Sequence, residues 1–353
     1  MKIEIIKKQQ SGLAKIDFNN LQFGDTFSDH MITMDYHDQC WKTPTIKPYG
    51  AFELFPGNCY LHYGQAVFEG LKAFKTPNGK INIFRPDAHY QRLNNSSQRL
   101  CIPKMDYDTF IKPLTQLLQI DSAWIPDKKG CSLYIRPVIF ATDNFIGVKI
   151  SDTYTYFVIT SPVGAYYKGG LMPTRLTTSG EHVRTIKGIL GEAKTPANYA
   201  ASLLPQEIAK KNGFSQVLWL DGIEKQYIDE VGTANVFFLI GDELITPPLD
   251  GSILAGITRD SIITLAKDWG ITVCERRISI DEVFESAKQN TLKEIFSTGT
   301  AVVISPVGEI EHNGKSIVIN NNEIGHLSQR LYDEITAIQY GEKEDRFGWC
   351  LTI

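Results

Sequence analysis

A mixed α/β protein of two domains is what this sequence predicts, and three observations carry that prediction. Length is the first: 353 residues exceed the roughly 250 to 300 that one hydrophobic core ordinarily holds. Apolar positions recur with period two in some stretches and near 3.6 in others, so strands and helices are mixed along the chain. Near mid-chain, Ser161-Pro-Val-Gly-Ala-Tyr-Tyr-Lys-Gly-Gly170 interrupts both periods. The expected division is a smaller N-terminal α/β domain over residues 1–164, a linker over 165–175, and a larger C-terminal domain over 176–353.

Charge and composition narrow the function classes. The net charge of -4 gives no reason to expect nucleic acid or an acidic membrane surface as a partner. No apolar run approaches a membrane span, and the start Met1-Lys-Ile-Glu-Ile-Ile-Lys-Lys is unlike a signal peptide, so a cytoplasmic location is expected. The six cysteines form no C-x-x-C pair and the seven histidines are scattered, so neither a metal site nor a disulfide framework is expected.

In the first half, the Pro77-Asn78-Gly79 turn joins the aromatic-rich run Tyr60 to Phe74 to the alternating strand Lys80 to Arg85, which predicts a hairpin. Pro86-Asp87 ends that strand, and Ala88 to Leu100 is helical in pattern. Arg85 then stands at a strand end, a position from which α/β proteins reach ligands and where ordinary arginines also sit. Ser132 to Phe140 reads as a strand that sets Tyr134 and Arg136 on one face, suited to a carboxylate or to a surface ion pair. Another strand covers Tyr154 to Thr160.

The second half contains Gly191-Glu-Ala-Lys194-Thr-Pro-Ala-Asn198-Tyr199. Lysines are ordinarily solvated charges, but Lys194 has small neighbours, an Asn-Tyr pair just downstream, and Thr195-Pro196 as an N-cap with proline at the first helical position. At the mouth of a helix it can lose part of its solvation and become a usable amine. The helix is expected to run toward Lys211 and end at Asn212-Gly213, with Pro205 kinking or splitting it. Short strands follow over Gln216 to Leu220, Gln226 to Ile228 and Asn235 to Ile240. Glu230 precedes a glycine and an apolar strand, where a buried acid needs a cationic or hydrogen-bonding partner; read alone it is a turn-edge glutamate.

Two stretches suit an anion. Ile262, Leu265, Ala266 and Trp269 mark an amphipathic helix that follows Gly256, and its first turn has free N–H groups at its positive end. Phe296-Ser-Thr-Gly-Thr300 sets hydroxyls and a glycine before the apolar Ala301-Val-Val.

Taken together, Phe68-Glu-Gly-Leu-Lys-Ala73, Leu133-Tyr-Ile-Arg-Pro137, Gly191-Glu-Ala-Lys194, Asn198-Tyr-Ala-Ala-Ser202, Glu230-Val-Gly-Thr233 and Ser297-Thr-Gly-Thr-Ala301 resemble the branched-chain amino acid aminotransferases. These belong to fold type IV of the pyridoxal-phosphate enzymes, and the resemblance runs from about Phe23 to Tyr340. It implies two α/β domains joined by a short loop with the cofactor at the domain interface, and a homodimer. It also implies a ping-pong transfer of the amino group of leucine, isoleucine or valine to 2-oxoglutarate, with Lys194 as the catalytic Schiff-base and proton-transfer residue.

The remaining roles are implied in the same way. Glu230 faces the pyridine nitrogen and Tyr199 the ring oxygen. Arg85, the amides of Ile257 and Thr258, the Thr300 hydroxyl and, near them, Arg184 hold the phosphate. Tyr63, Phe68, Tyr134 and Phe23 form the apolar substrate pocket. Thr233 and Ala301 lie near the substrate carboxylate, and Arg136 accommodates the distal carboxylate of glutamate. Thr195-Pro196-Ala197 departs from the glycine-rich sequence of many relatives. A D-amino acid aminotransferase and an aminodeoxychorismate lyase share the fold type, and the aromatic pocket with Tyr134 and Arg136 argues against both. A noncatalytic vitamin B6-binding protein would have no use for the full Lys194, Tyr199 and Glu230 set.

Overall fold

The computed structural model describes residues 2–164 and 171–353. The chain divides into two compact units. One comprises Met1–Lys168, Ala193–Pro196 and Ala337–Ile353, the other Gly169–Glu192 and Ala197–Thr336.

Strand-forming runs with apolar side chains on both faces build the first unit around a mostly antiparallel sheet, ten-stranded among the described residues. Its order is Glu4–Ile5, Thr45–Pro48, His30–His37, Tyr154–Val163, Ser132–Ala141, Leu71–Lys75, Ile81–Phe84 and Cys350–Thr352. Ala66–Phe68 also pairs with Ser132–Ala141. The expected hairpin is present, with Ala73 opposite Ile83. Ile32, Leu71, Ile83, Leu114, Leu133 and Tyr156 anchor the core, buried where this sheet and the helix Tyr107–Ile120 supply apolar faces.

Parallel pairing distinguishes the second unit. Thr174–Thr178 runs parallel to both Gln216–Leu220 and Val303–His312 in a sheet that is nine-stranded among the described residues. Asn235–Ile240 and Leu292–Gly299 lie antiparallel, with Asn235 opposite Thr298. Leu176, Leu218, Val236, Phe238, Ile295 and Ile310 form the core. The amphipathic helix spans Ile257–Asp268, and Gly270 follows it in the left-handed region.

Several expectations need correction. The helix after Arg85 spans Pro86–Arg99, because proline's fixed φ and missing N–H suit the first helical position. Lys194 does not group with the C-terminal residues, and neither does Ala337–Ile353. The Lys194 peptide bonds to Phe68 and Ser96, and Cys350–Thr352 pairs with Ile81–Phe84, so both segments belong with the first unit. Ser161–Val163 continue a strand, residues 165–170 of the expected linker lie outside the described residues, and Thr174 already opens the next strand. The helix after Lys194 is two helices, Pro196–Ala201 and Leu203–Lys211. Pro205 has no N–H to give the Ala201 carbonyl, so the helix breaks at Ser202.

Candidate active site

In the first unit, Lys194 is fixed by its own main chain. Its N–H donates to Ser96 Oγ at 2.9 Å, and its carbonyl accepts the Phe68 N–H at 3.0 Å. Lys194 Nζ lies 4.9 Å from the centre of the Phe68 ring. The Arg136 guanidinium lies 4.7 Å from the same ring and donates from Nη2 to Tyr134 Oη at 2.9 Å. Phe23 meets the Tyr134 ring edge-on at 4.9 Å. Lys194, Phe68, Arg136, Tyr134 and Phe23 are thus a connected group in which one apolar ring carries cations beside it. The alternation of the strand Ser132–Ala141 brings Tyr134 and Arg136 into it, and what they make is a hydrogen bond on a buried aromatic, in place of a surface ion pair. Tyr63 ends the short helix Cys59–Tyr63, exposed, and its ring contact is with His62.

Arg85 caps the helix Pro86–Arg99 with φ 50°, a left-handed conformation that a residue with a side chain adopts only when its surroundings impose it. Its N–H donates to the Trp349 carbonyl at 2.6 Å, its carbonyl accepts from His89, and its guanidinium lies 5.6 Å from the Trp349 ring. Thr195 follows Lys194 fully buried, but its Oγ1 makes no hydrogen bond, so the expected side-chain N-cap is absent.

In the second unit, Glu230 is buried to 1 % exposure on the strand Ile228–Val231. Arg184 Nη1 stands 2.7 Å from its Oε2, and Asn235 Nδ2 donates to its Oε1 at 3.1 Å. Arg184, expected near a phosphate, pairs with this acid and donates to the Ser252 carbonyl at 3.3 Å. A buried carboxylate demands such a counter-charge, which a sequence window around Glu230 does not contain. Asn235 also donates to the Leu254 carbonyl at 2.9 Å, tying Glu230 to the loop that leads into Ile257–Asp268. A Cβ at Gly256 would overlap Asn235 Oδ1, so a larger residue there would displace the amide that holds Glu230 and the Leu254 carbonyl.

The helix Ile257–Asp268 has Gly256 as its N-cap, with no side chain capping it, so its first N–H groups and positive end are available to an anion. Ile257 and Thr258 are buried there. The antiparallel pairing of Asn235 with Thr298 puts the turn holding Thr233 and the turn holding Thr300 and Ala301 at one end of the sheet; Thr233 is exposed. Ser297 and Thr298 belong to the strand itself, and Thr298 Oγ1 donates to the Val303 carbonyl at 2.6 Å, so only Thr300 of the expected hydroxyl cluster stands in the turn. Tyr199, half-buried, lies in the helix Pro196–Ala201, which Asn198 Nδ2 pins to the Leu190 carbonyl at 2.7 Å.

Glu69, His89, Arg92, Ser96, Asn235 and Ser252 were not singled out from the sequence. The signal for three of them is visible in retrospect: His89, Arg92 and Ser96 follow Arg85 at steps of four, three and four residues, one face of a helix.

Comparisons with known proteins agree with this chemistry. A sequence profile described as amino-transferase class IV matches residues 66–310. Branched-chain-amino-acid aminotransferase 2 of Bacillus subtilis is 52 % identical over 96 % of this chain and 94 % of its own. A branched-chain amino acid aminotransferase structure from Escherichia coli, 27 % identical, superposes with a TM-score of 0.72 over 92 % of this chain and 98 % of that one. A T.th. branched-chain amino acid aminotransferase complexed with N-(5'-phosphopyridoxyl)-L-glutamate, 25 % identical, gives 0.74 over 92 % and 99 %.

Pyridoxal phosphate, the cofactor of class IV aminotransferases, needs an amine, an anion for its ring nitrogen and donors for its phosphate. Groups of these kinds are present in each unit: the Lys194 amine and the Arg85 guanidinium in the first, and the buried Glu230 carboxylate, the uncapped helix end and the Thr300 hydroxyl in the second. The chain therefore belongs to the class IV aminotransferases and, among these pyridoxal-phosphate enzymes, to the branched-chain amino acid aminotransferases.

Proposed function

We propose that this protein moves the amino group of leucine, isoleucine or valine to 2-oxoglutarate, giving branched 2-oxo acids and L-glutamate by a ping-pong route. The observation that carries this reading is the Phe68 ring, with Lys194 Nζ 4.9 Å and the Arg136 guanidinium 4.7 Å from its centre. An aliphatic side chain packs favourably on such a ring, while the guanidinium can receive a distal carboxylate, so one pocket serves both partners. The names of the Bacillus subtilis relative and of the glutamate-bearing complex support the same pair of substrates.

Bound pyridoxal phosphate supplies an electron sink for the carbanion left when the substrate's Cα–H bond breaks. Lys194 holds the cofactor and then moves the proton from Cα. Its peptide, bonded to Ser96 and Phe68, limits where the amine can swing. Glu230, with Arg184 beside it, presents a negative charge to the ring nitrogen. Tyr199 donates to the ring oxygen. Arg85, the amides of Ile257 and Thr258, and Thr300 hold the phosphate. Phe23, Tyr63, Phe68 and Tyr134 line the side-chain pocket, and Thr233 and Ala301 orient the substrate carboxylate. A cytoplasmic homodimer is the proposed form; among the described residues no helix is long and apolar enough to cross a membrane.

The test is a panel of amino acids added singly to the holoenzyme while cofactor absorbance is followed. Leucine, isoleucine and valine should convert the cofactor far faster than D-alanine, and 2-oxoglutarate should restore the starting spectrum. Equal rates with D-alanine would favour a D-amino acid aminotransferase. Borohydride reduction and peptide mapping should leave the pyridoxyl group on Lys194 alone.

A further inference from the structure

The helix Pro86–Arg99 connects Arg85 to the lysine segment through a buried cluster that the reaction itself does not require. Glu69, in the bend between Ala66–Phe68 and Leu71–Lys75, is fully enclosed. Arg92 donates to it from Nε at 2.7 Å and Nη2 at 2.9 Å, and His89 Nδ1 stands 2.6 Å from its Oε2. The Glu69 amide donates to the Pro137 carbonyl at 2.8 Å. Immediately before it, the Phe68 N–H holds the Lys194 carbonyl, and one turn beyond Arg92, Ser96 Oγ holds the Lys194 N–H. Both peptide groups of the lysine are therefore gripped by the bend and helix that Glu69, His89 and Arg92 lock together.

Stability alone does not explain this cluster, because a buried ion pair seldom outdoes apolar packing of the same volume. Its charges are informative. Burial pushes the His89 imidazolium down; Glu69 acts against this, and Arg92 and Lys194 add to it. Neutral His89 then donates its Nδ1–H to Glu69, and the charges of Glu69 and Arg92 cancel. Of the other charged and titratable groups of this unit, Arg136 and Tyr134, from the strand Ser132–Ala141, lie at the Phe68 ring, and Lys72, opposite Tyr134 on the strand Leu71–Lys75, is buried, which pushes its ammonium down to about 8.

We infer that Glu69, His89, Arg92 and Ser96 are positioning residues for Lys194, fixing the peptide on both sides of it and keeping the cluster beside it free of net charge. This rests on Lys194 being the cofactor lysine, which borohydride mapping of the wild-type holoenzyme checks separately; an adduct elsewhere sinks that reading before any variant is made.

Three holoenzyme variants test the inference. Glu69→Gln leaves Arg92 uncompensated, so the midpoint of the pH-dependent absorbance of bound cofactor should fall by about one pH unit. Adding Arg92→Met to it should bring the midpoint back to near the wild-type value. Ser96→Ala should lower kcat about tenfold with KM for leucine held within about twofold, since only the placement of the amine changes. Ser96→Thr, which keeps the hydroxyl, should recover most of the loss. Melting temperatures that fall while the midpoint and kcat stay at wild-type values would assign the cluster a purely structural role and overturn the proposal. Should Glu69→Gln not fold, Ser96→Ala decides alone: an unchanged kcat overturns it.

Discussion

Glu230 is buried beside one guanidinium, and that single pairing governs what substitution there does. Arg184→Met would leave a carboxylate enclosed without its cation, at a cost of about 3 to 5 kcal/mol. Urea unfolding should register that loss, and Arg184→Lys should recover part of it by retaining charge without the fork geometry. Gly191 acts through shape. A Cβ there would overlap the main chain of Ser252, which cannot swing aside as a side-chain end can. Gly191→Ala should destabilise by about 2 kcal/mol, lowering Tm by roughly 4 to 8 °C in calorimetry. Residue chemistry of this sort was half legible in the sequence. Lys194 stood out by its small neighbours, whereas Glu230, read alone as a turn-edge glutamate, gained its role only through the resemblance. The pairing of Arg184 was hidden, because its partner lies 46 positions away along the chain (230 − 184). The left-handed backbone of Arg85 was equally hidden, as its N–H partner, Trp349, lies far along the chain.

Elements were legible where turn chemistry and periodicity agreed. Pro77-Asn78-Gly79 fixed the hairpin, and the apolar stripe closing on Gly270 fixed the helix Ile257–Asp268. They failed where buried main chain consumed a polar side chain: Thr298 reads as a turn hydroxyl, yet its oxygen bonds inside the strand pair. The strand Ile228–Val231 has a property that pH exposes. Burial, then the neighbouring carboxylates Glu230, Asp221 and Asp250, push the Asp229 carboxyl up to about 7. The unfolded chain loses that proton near pH 4, as about 3.9 is the ordinary value. Between those limits the folded state binds more protons, so stability falls as pH rises from about 4 to 7 and the full penalty stands above 7. Its size is on the order of a few kcal/mol. Asp229→Asn should therefore stabilise the protein at pH 8 and do so less and less toward pH 4. Urea midpoints measured at pH 4, 6 and 8 check this; a gain independent of pH would contradict it.

At the scale of the whole chain, what the sequence could not reveal is which distant segments share a unit. Lys194 bonds to Ser96, 98 positions earlier (194 − 96), and to Phe68, 126 positions earlier (194 − 68), and Ala337–Ile353 returns to the first unit, because strand pairing and main-chain bonds ignore sequence distance. Trp349 shows the consequence. Buried, it stacks on Phe347 at 4.5 Å, meets Phe84 edge-on at 5.8 Å, and its carbonyl takes the Arg85 N–H. Arg85, in its left-handed conformation, is thus bonded through its main chain to a residue 264 positions later (349 − 85), and its guanidinium lies 5.6 Å from that residue's ring. Trp349→Ala removes the ring and should destabilise by about 3 to 5 kcal/mol. If Arg85 holds the cofactor phosphate, the same change should raise the Kd for pyridoxal phosphate about tenfold, because a misdirected guanidinium loses a charge-assisted hydrogen bond. Trp349→Phe keeps an aromatic face over Arg85 and should bind the cofactor nearly as the wild type does. Fluorescence titration of the three proteins with pyridoxal phosphate separates the effects: a folded Trp349→Ala protein with wild-type affinity would remove Arg85 from the phosphate site.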